Sequence, residues 1–197
     1  MKAILMSVRP QWVAKILNGE KTIEIRKKFP KDYVGWVYIY CTKAKPYLHE
    51  LTEPKTHKKS YWLDKEKWYM ARNSKVVARF WCDKVEEYVN GSKWSWKVGA
   101  PMWGACNDYE YILKDTCLTE DELYDYCVDL SFKAIHITKL EIFDKPKEIS
   151  EFYRLGAWKV YEEQFDSSYM KRTEQEIMKS LSQTLTRAPQ SWCYIEI

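Results

Sequence analysis

Five or six short runs rich in Val, Ile, Tyr, Trp and Phe are scattered along the chain, with short helical segments between them in no regular order. A doubly wound parallel sheet needs strand and helix to alternate, so this ordering points to an α+β domain or a small, partly open β-barrel. The runs are Lys2 to Met6, Lys21 to Arg26, Trp36 to Thr42, Lys75 to Val85, Ala134 to Phe143 and Trp192 to Ile197. In Lys21 to Arg26 the alternation sets Ile23 and Ile25 on one side and Thr22, Glu24 and Arg26 on the other. One face is therefore core and the other charged.

The helical segments carry their own boundary signals. Residues 10 to 18 read as a short helix, with Pro10 in the first turn and Gly19 just past the last. Its pairs Trp12/Ile16 and Val13/Leu17 give a broad packing side. Thr119 and Glu122 form a capping-box pattern ahead of a second helix, and further helices are expected over Leu63 to Asn73 and Arg172 to Ser182. Asn90 to Cys106, with Trp94, Trp96 and Trp103, reads as a long loop.

A chain of 197 residues with 46% hydrophobic and 30% charged residues folds as one domain, 1–197, and needs neither disulfides nor metal. The longest uncharged apolar stretch, Val34 to Thr42, falls far short of the ~20 residues of a spanning helix. With no basic-then-apolar leader at the N-terminus, a cytoplasmic protein is expected. The six cysteines (Cys41, Cys82, Cys106, Cys117, Cys127 and Cys193) contain no C-x-x-C pair. The loose grouping of Cys106, Cys117, Cys127 and His136 lacks metal-ligand spacing, so buried thiols are expected, with no metal and no cofactor.

The net charge of +4 is unevenly spread. Between Lys55 and Lys75, seven cations face Asp64 and Glu66, a surplus of five, so the rest of the chain sums to −1. Tyr61, Trp62, Trp68 and Tyr69 are interleaved there, a mixture that suits single-stranded nucleic acid. Taken alone, the segment reads rather as a solvated helix face whose rings cover the core.

The most informative stretch is Gly19-Glu-Lys-Thr-Ile-Glu-Ile-Arg26, preceded by Ser7-Val-Arg-Pro10. Gly19 makes a turn, Lys21 stands at the strand mouth, and Glu24 lies close enough to Arg26 to orient its guanidinium toward a phosphate or base edge. The alternative is a surface strand whose charges pair with each other for little energy.

S-x-R-P, a short helix and G-x-K-T-x-E-x-R together resemble the signature of ASCH domains, in the PUA-like superfamily. Lys75-Val-Val-Ala-Arg-Phe80, His136-Ile-Thr-Lys-Leu140 with Lys145-Pro146, and Pro189-Gln-Ser-Trp-Cys-Tyr-Ile-Glu196 resemble later strands of phage-type and bacterial members. The resemblance runs from Ser7 to Glu196 and leaves 48–73 and 154–187 as insertions or extensions. It implies a β-barrel with flanking helices and a basic cleft between the first helix and the barrel. Ser7, Arg9, Lys21, Glu24, Arg26 and Ser191 would there bind RNA or a nucleotide. One branch of the family hydrolyses the amide of acetylated cytidine through G-x-K-T-x-T-x-R; here Glu24 stands where that branch has its nucleophilic Thr, and Thr22 is no evident replacement.

Three functions follow. The first is an RNA- or nucleotide-binding module in which Arg9, Lys21 and Arg26 contact phosphate or base edges and Trp12, Trp192 or Tyr194 stacks on a base, although Trp12 and Trp192 read more readily as core. The second is a metal-independent hydrolase of single-stranded RNA or a modified nucleoside, with Lys21 and Glu24 as its catalytic groups. A carboxylate beside two cations is a weak base, and His136 reads as structural. The third is a protein-interaction module of a phage or mobile element, using the aromatic loop Trp94 to Trp103. On the first reading, Lys21→Ala or Arg26→Ala weakens RNA binding without lowering the melting temperature.

Overall fold

The apolar run at the N-terminus becomes a strand, β1 (Lys2–Val8), that is buried on both faces. Ile4, Met6 and Val8 enter one core while Ala3 and Leu5 enter another, which is why the run is continuous rather than alternating. A computed structural model describes the chain except at 92–93, 98–104, 128–130, 165–172 and 182, and describes side chains outside 90–110, 128–130, 163–172 and 182. In it β1 lies parallel to β3 (Gly35–Cys41) and antiparallel to β12 (Trp192–Glu196). Antiparallel partners β6 (Lys75–Cys82), β10 (Thr138–Lys147) and β11 (Tyr153–Arg154) complete a six-stranded sheet in the order β10-β6-β3-β1-β12-β11.

The second sheet has four strands in the order β2-β9-β7-β8: β2 (Ile23–Arg26), β9 (Phe132–His136), β7 (Val85–Gly91) and β8 (Trp94–Lys97). Two of the expected strands are in fact shared between the sheets. The run from Lys75 to Val85 breaks at Cys82, and the run from Ala134 to Phe143 breaks after His136. Both bend at one corner, where His136 N–H donates to the Lys84 carbonyl (3.1 Å) and the Thr138 hydroxyl to the Trp81 carbonyl (2.7 Å). Strands that switch sheets build such corners through bends, and each break falls beside a polar pair, Asp83-Lys84 and Thr138-Lys139, that interrupts the apolar run. No ladder closes the two sheets into a full barrel among the described residues.

Helices cover the second sheet. Ile23 and Ile25 of β2 pack with Phe132, with Ile112 of α2 (Ala105–Thr116) and with Leu123 of α3 (Glu120–Tyr126). The capping box at α3 is formed as expected: the Thr119 hydroxyl accepts from Glu122 N–H, and the Glu122 carboxylate accepts from Thr119 N–H. Helix α1 (Pro10–Leu17) packs on the first sheet through Val13, Ala14, Ile16 and Leu17. Gly19, at φ +76°, takes the left-handed position past its end that favours glycine. Two more helices, α4 (Ala157–Gln164) and α5 (Glu174–Ser180), lie in the C-terminal part, and the expected helix ends at Arg172 and Ser182 lie outside the described residues.

The expected helix over Leu63 to Asn73 does not form. Its beginning belongs instead to a hairpin, β4 (Tyr47–Thr52) with β5 (Lys59–Asp64). Asp64 Oδ1 then accepts from the N–H groups of Glu66 and Lys67, both at 2.8 Å, which turns the chain away from helix. The expected loop from Asn90 to Cys106 likewise contains the β7–β8 hairpin and the start of α2; the side chains of Trp94, Trp96 and Trp103 lie outside the described residues.

The β4–β5 hairpin is tied to α1 by the Asn18 side chain, which donates to the Tyr61 carbonyl and accepts from Tyr61 N–H, both at 2.9 Å. Its other side is tied to β10: Lys59 Nζ donates to Asp144 Oδ1 (2.6 Å), and Arg72 pairs with Glu50 while donating to the Phe143 and Asp144 carbonyls. Cys41, Cys82 and Cys127 are buried, and burial pushes the Cys41 and Cys82 thiols up to about 12. Cys117 and Cys193 are half-buried, and the side chain of Cys106 lies outside the described residues. Among the described residues no helix is long and apolar enough to cross a membrane, and no cluster of three His, Cys, Asp or Glu residues is placed to hold a metal.

Asn18→Ala leaves both Tyr61 backbone groups without this partner and should cost about 1–2 kcal/mol. Amide exchange should accelerate across the 47–64 hairpin while β1 keeps its protection; equal acceleration in both would show that Asn18 does not anchor the hairpin locally.

Candidate functional site

The turn after α1 feeds directly into β2, and this junction sets the position of Lys21. Gly19 N–H donates to the Ile16 carbonyl, and the N–H groups of Glu20 and Lys21 both donate to Lys15, so the chain leaves the helix at a fixed angle. Lys21 then points inward and is only 2% exposed. Its Nζ donates to the carbonyl of Thr116 at 2.7 Å, at the C-terminal end of α2, where the helix dipole favours a cation. Thr22 N–H takes the neighbouring Asp115 carbonyl at 2.9 Å.

Glu24, 6% exposed, sits between two cations. Its Oε2 is 3.4 Å from Lys21 Nζ and its Oε1 is 3.0 Å from Arg26 Nη2, which also donates to the Ser7 carbonyl at 2.6 Å. The expected charged face of β2 is therefore not a solvated surface but a buried chain of three charges. Burial depresses the Lys21 pKa below its ordinary 10.5, against the opposing pull of Glu24. The buried Nε of Arg26 and the buried hydroxyl of Thr42 have no hydrogen-bond partner among the described residues, a pattern more often met at functional sites than in plain cores.

These groups form the floor of a cleft of about 710 Å³. All six residues singled out in the sequence, Ser7, Arg9, Lys21, Glu24, Arg26 and Ser191, line it. Arg9 is exposed at the start of α1, whereas the Ser7 hydroxyl is already spent on the Pro189 carbonyl at 2.6 Å and Ser7 N–H on the Ser191 carbonyl at 2.8 Å. Those two bonds bring the C-terminal segment against β1 and make it one wall. Of the proposed stacking rings, Trp12 lines the cleft, with Lys21 Nζ 5.3 Å from its ring centre. Trp192 and Tyr194 do not; the Trp192 indole donates to the Lys28 carbonyl (2.7 Å) and Lys2 lies over the Tyr194 ring. Thr22 is exposed and outside the cleft lining, and His136 pairs instead with Glu86 at 3.2 Å.

The sequence reading missed the wall supplied by α3. Glu122, Asp125 and Tyr126 line the cleft, and they share one side of the helix because they are three and four residues apart. The capping box announced that helix, but only tertiary packing could say that it faces β2. The cleft is consequently not the basic one expected: Arg9, Lys21 and Arg26 are matched by Glu24, Glu122 and Asp125. Burial raises the Tyr126 pKa, with Arg26 opposing the shift, so the phenol stays protonated and available as a hydrogen-bond donor.

No protein-family model matches the sequence, and no curated protein matches it. Solved structures share its backbone arrangement. One is the crystal structure of ASCH from Zymomonas mobilis, with TM-score 0.51, 13% identity, and coverage of 98% of this chain and 87% of that one. The fold is that of an ASCH domain. A mutant form of the same bacterial protein aligns equally well, with TM-score 0.51, 12% identity, and coverage of 98% of this chain and 88% of that one. At such identity the likeness shows the fold alone, an α+β arrangement shared with that ASCH protein; it does not reach a phage-type branch.

The buried charges also change the expectation for their removal. Lys21→Ala and Arg26→Ala each delete a bond to a buried carbonyl and leave Glu24 short of a partner, so both should lower the melting temperature, at a cost of several kcal/mol. For Lys21 the pH dependence has a definite sign. Between its depressed native pKa and the ordinary 10.5, the unfolded chain binds the proton that the native state does not. Parent stability measured against Lys21→Met should therefore rise with pH through that window. A difference that stays flat to pH 10.5 would mean that Lys21 is not desolvated.

Proposed function

We propose that this chain binds single-stranded RNA by taking one nucleotide into the cleft. The observation that carries the reading is the buried Lys21–Glu24–Arg26 chain lying on the floor of a cleft between Trp12 and Tyr126. A volume of about 710 Å³ falls in the range of small-molecule sites and is too confined for a duplex. A balanced set of charges favours a neutral ligand rich in donors and acceptors over a bare anion. A nucleobase has that character: its exocyclic amine donates to a carboxylate such as Glu24, and its carbonyl or ring nitrogen accepts from Arg26 or Lys21. Splayed bases in single-stranded RNA are recognised by this combination of edge hydrogen bonds and ring stacking. Exposed Arg9 is placed to meet a phosphate at the rim.

Hydrolysis is the second reading, and the depressed pKa of Lys21 favours it, because burial makes this lysine give up its proton more readily than an exposed one. Glu24 would serve there by holding Lys21 and Arg26 in place, one through each carboxylate oxygen.

Arg9→Ala is the cleanest probe, since the side chain is exposed and makes no cap bond to α1. It should leave the melting temperature unchanged and reduce by about 0.7 the slope of log affinity against log salt for a twelve-nucleotide RNA. Trp12→Ala should weaken the same complex by ~1–3 kcal/mol. Unchanged affinity and slope in both variants would sink the cleft reading. New RNA ends or released acetate, produced by the parent and lost in Lys21→Met, would move the assignment to hydrolase.

A further inference from the structure

The lysine-rich segment after β4 presents its rings outward. Tyr61 is 4% exposed and covers the core, but Trp62, Trp68 and Tyr69 are 41%, 72% and 55% exposed. Trp62 is held by an ordered scaffold. It stacks on His49 with centres 4.9 Å apart and planes 28° apart, and His49 Nε2 lies 2.8 Å from the Lys67 carbonyl, which draws the 65–70 segment against the hairpin. Lys67 Nζ stands 5.9 Å from the Trp62 ring centre. Because the Trp62 ring is already positioned, a ligand would lose little freedom in ordering it.

The charges of this surface fall into two sets. Lys59 and Arg72 are consumed by Asp144 and Glu50, contacts that fix the hairpin to β10. Lys55, Lys58, Lys65 and Lys67 form no ion pair among the described residues, and the Asp64 carboxylate between them is occupied by two backbone N–H groups. Exposed cations beside exposed flat rings complement a polymer of phosphates and flat bases.

The hairpin also begins close to the cleft along the chain. Thr42 and Ala44 line the cleft, and from Ala44 the chain reaches His49, opposite Trp62, in five residues, a span of at most about 18 Å. Helix α1, which carries Trp12 into the cleft, is clamped to the hairpin at Tyr61 by Asn18. We infer that the β4–β5 hairpin and its 65–70 segment form a second binding surface, for the single-stranded RNA that flanks the nucleotide in the cleft. This rests on the RNA-binding reading but is separable from it, because the residues involved are different.

The test uses the full chain with two ligands, a labelled twelve-nucleotide RNA of mixed sequence read by anisotropy and the four nucleoside monophosphates read by calorimetry. The double variant Trp62→Ala/Trp68→Ala should lose on the order of tenfold or more in affinity for the twelve-mer and nothing for the monophosphates. Trp62→Phe, which keeps a ring, should retain most of the twelve-mer affinity. Lys65→Gln/Lys67→Gln should lower the salt slope for the twelve-mer by about 1.4. Twelve-mer binding in the double tryptophan variant equal to the parent's overturns the inference whatever Arg9→Ala does. Failure of the parent to bind the twelve-mer at low salt overturns it too, as does binding of an acidic peptide in its place. Loss in the hairpin variants with Arg9→Ala and Trp12→Ala silent would uphold the hairpin surface and remove the cleft reading.

Discussion

Glu24 is a carboxylate taken out of water, and the arrangement around it follows from having to make that tolerable. An isolated buried carboxylate is far too costly to persist, so it requires cations at close range and those cations require partners of their own. Lys21 meets this need from the turn after α1 and is itself completed by the end of α2; Arg26 does so from the same strand and is completed by the Ser7 carbonyl of β1. One buried charge thereby connects both sheets, two helices and the C-terminal segment that pairs with Ser7.

The local parts of the fold were legible because local physics decides them. Pro10 and Gly19 bound α1, the Thr119–Glu122 capping box opens α3, and the unbroken apolar run of β1 signals a strand covered on both sides. What escaped was decided by distant partners. The two corners at Cys82 and His136 are marked in the sequence only by the polar pairs Asp83-Lys84 and Thr138-Lys139, and the bends themselves are fixed across the corner, by His136 N–H on the Lys84 carbonyl and the Thr138 hydroxyl on the Trp81 carbonyl. The segment after Leu63 has composition suited to a helix, but a single carboxylate, Asp64, captures two amides and prevents one.

The site divides in the same way. The motif residues are close in sequence, so their approach could be anticipated; their burial could not, because alternation says which side of a strand a residue faces and nothing about what covers that side. Helix α3 provides the cover, and with it the carboxylates that turn an expected basic groove into a balanced one. Tyr126 and Trp12, far apart in the chain, come to line one cleft only through tertiary packing.

Asn18 presents one donor and one acceptor to Tyr61, as a residue of a neighbouring strand would. A side chain thus imitates backbone pairing and joins a helix to a hairpin that β10 holds on its other side. The distance between the cleft and the exposed tryptophans is then a property of the folded chain, not an average over hinge angles. On the proposed reading the protein would act as a ruler: a ligand shorter than that distance would meet one end only, whereas a longer one would meet both and gain the local concentration that tethering confers.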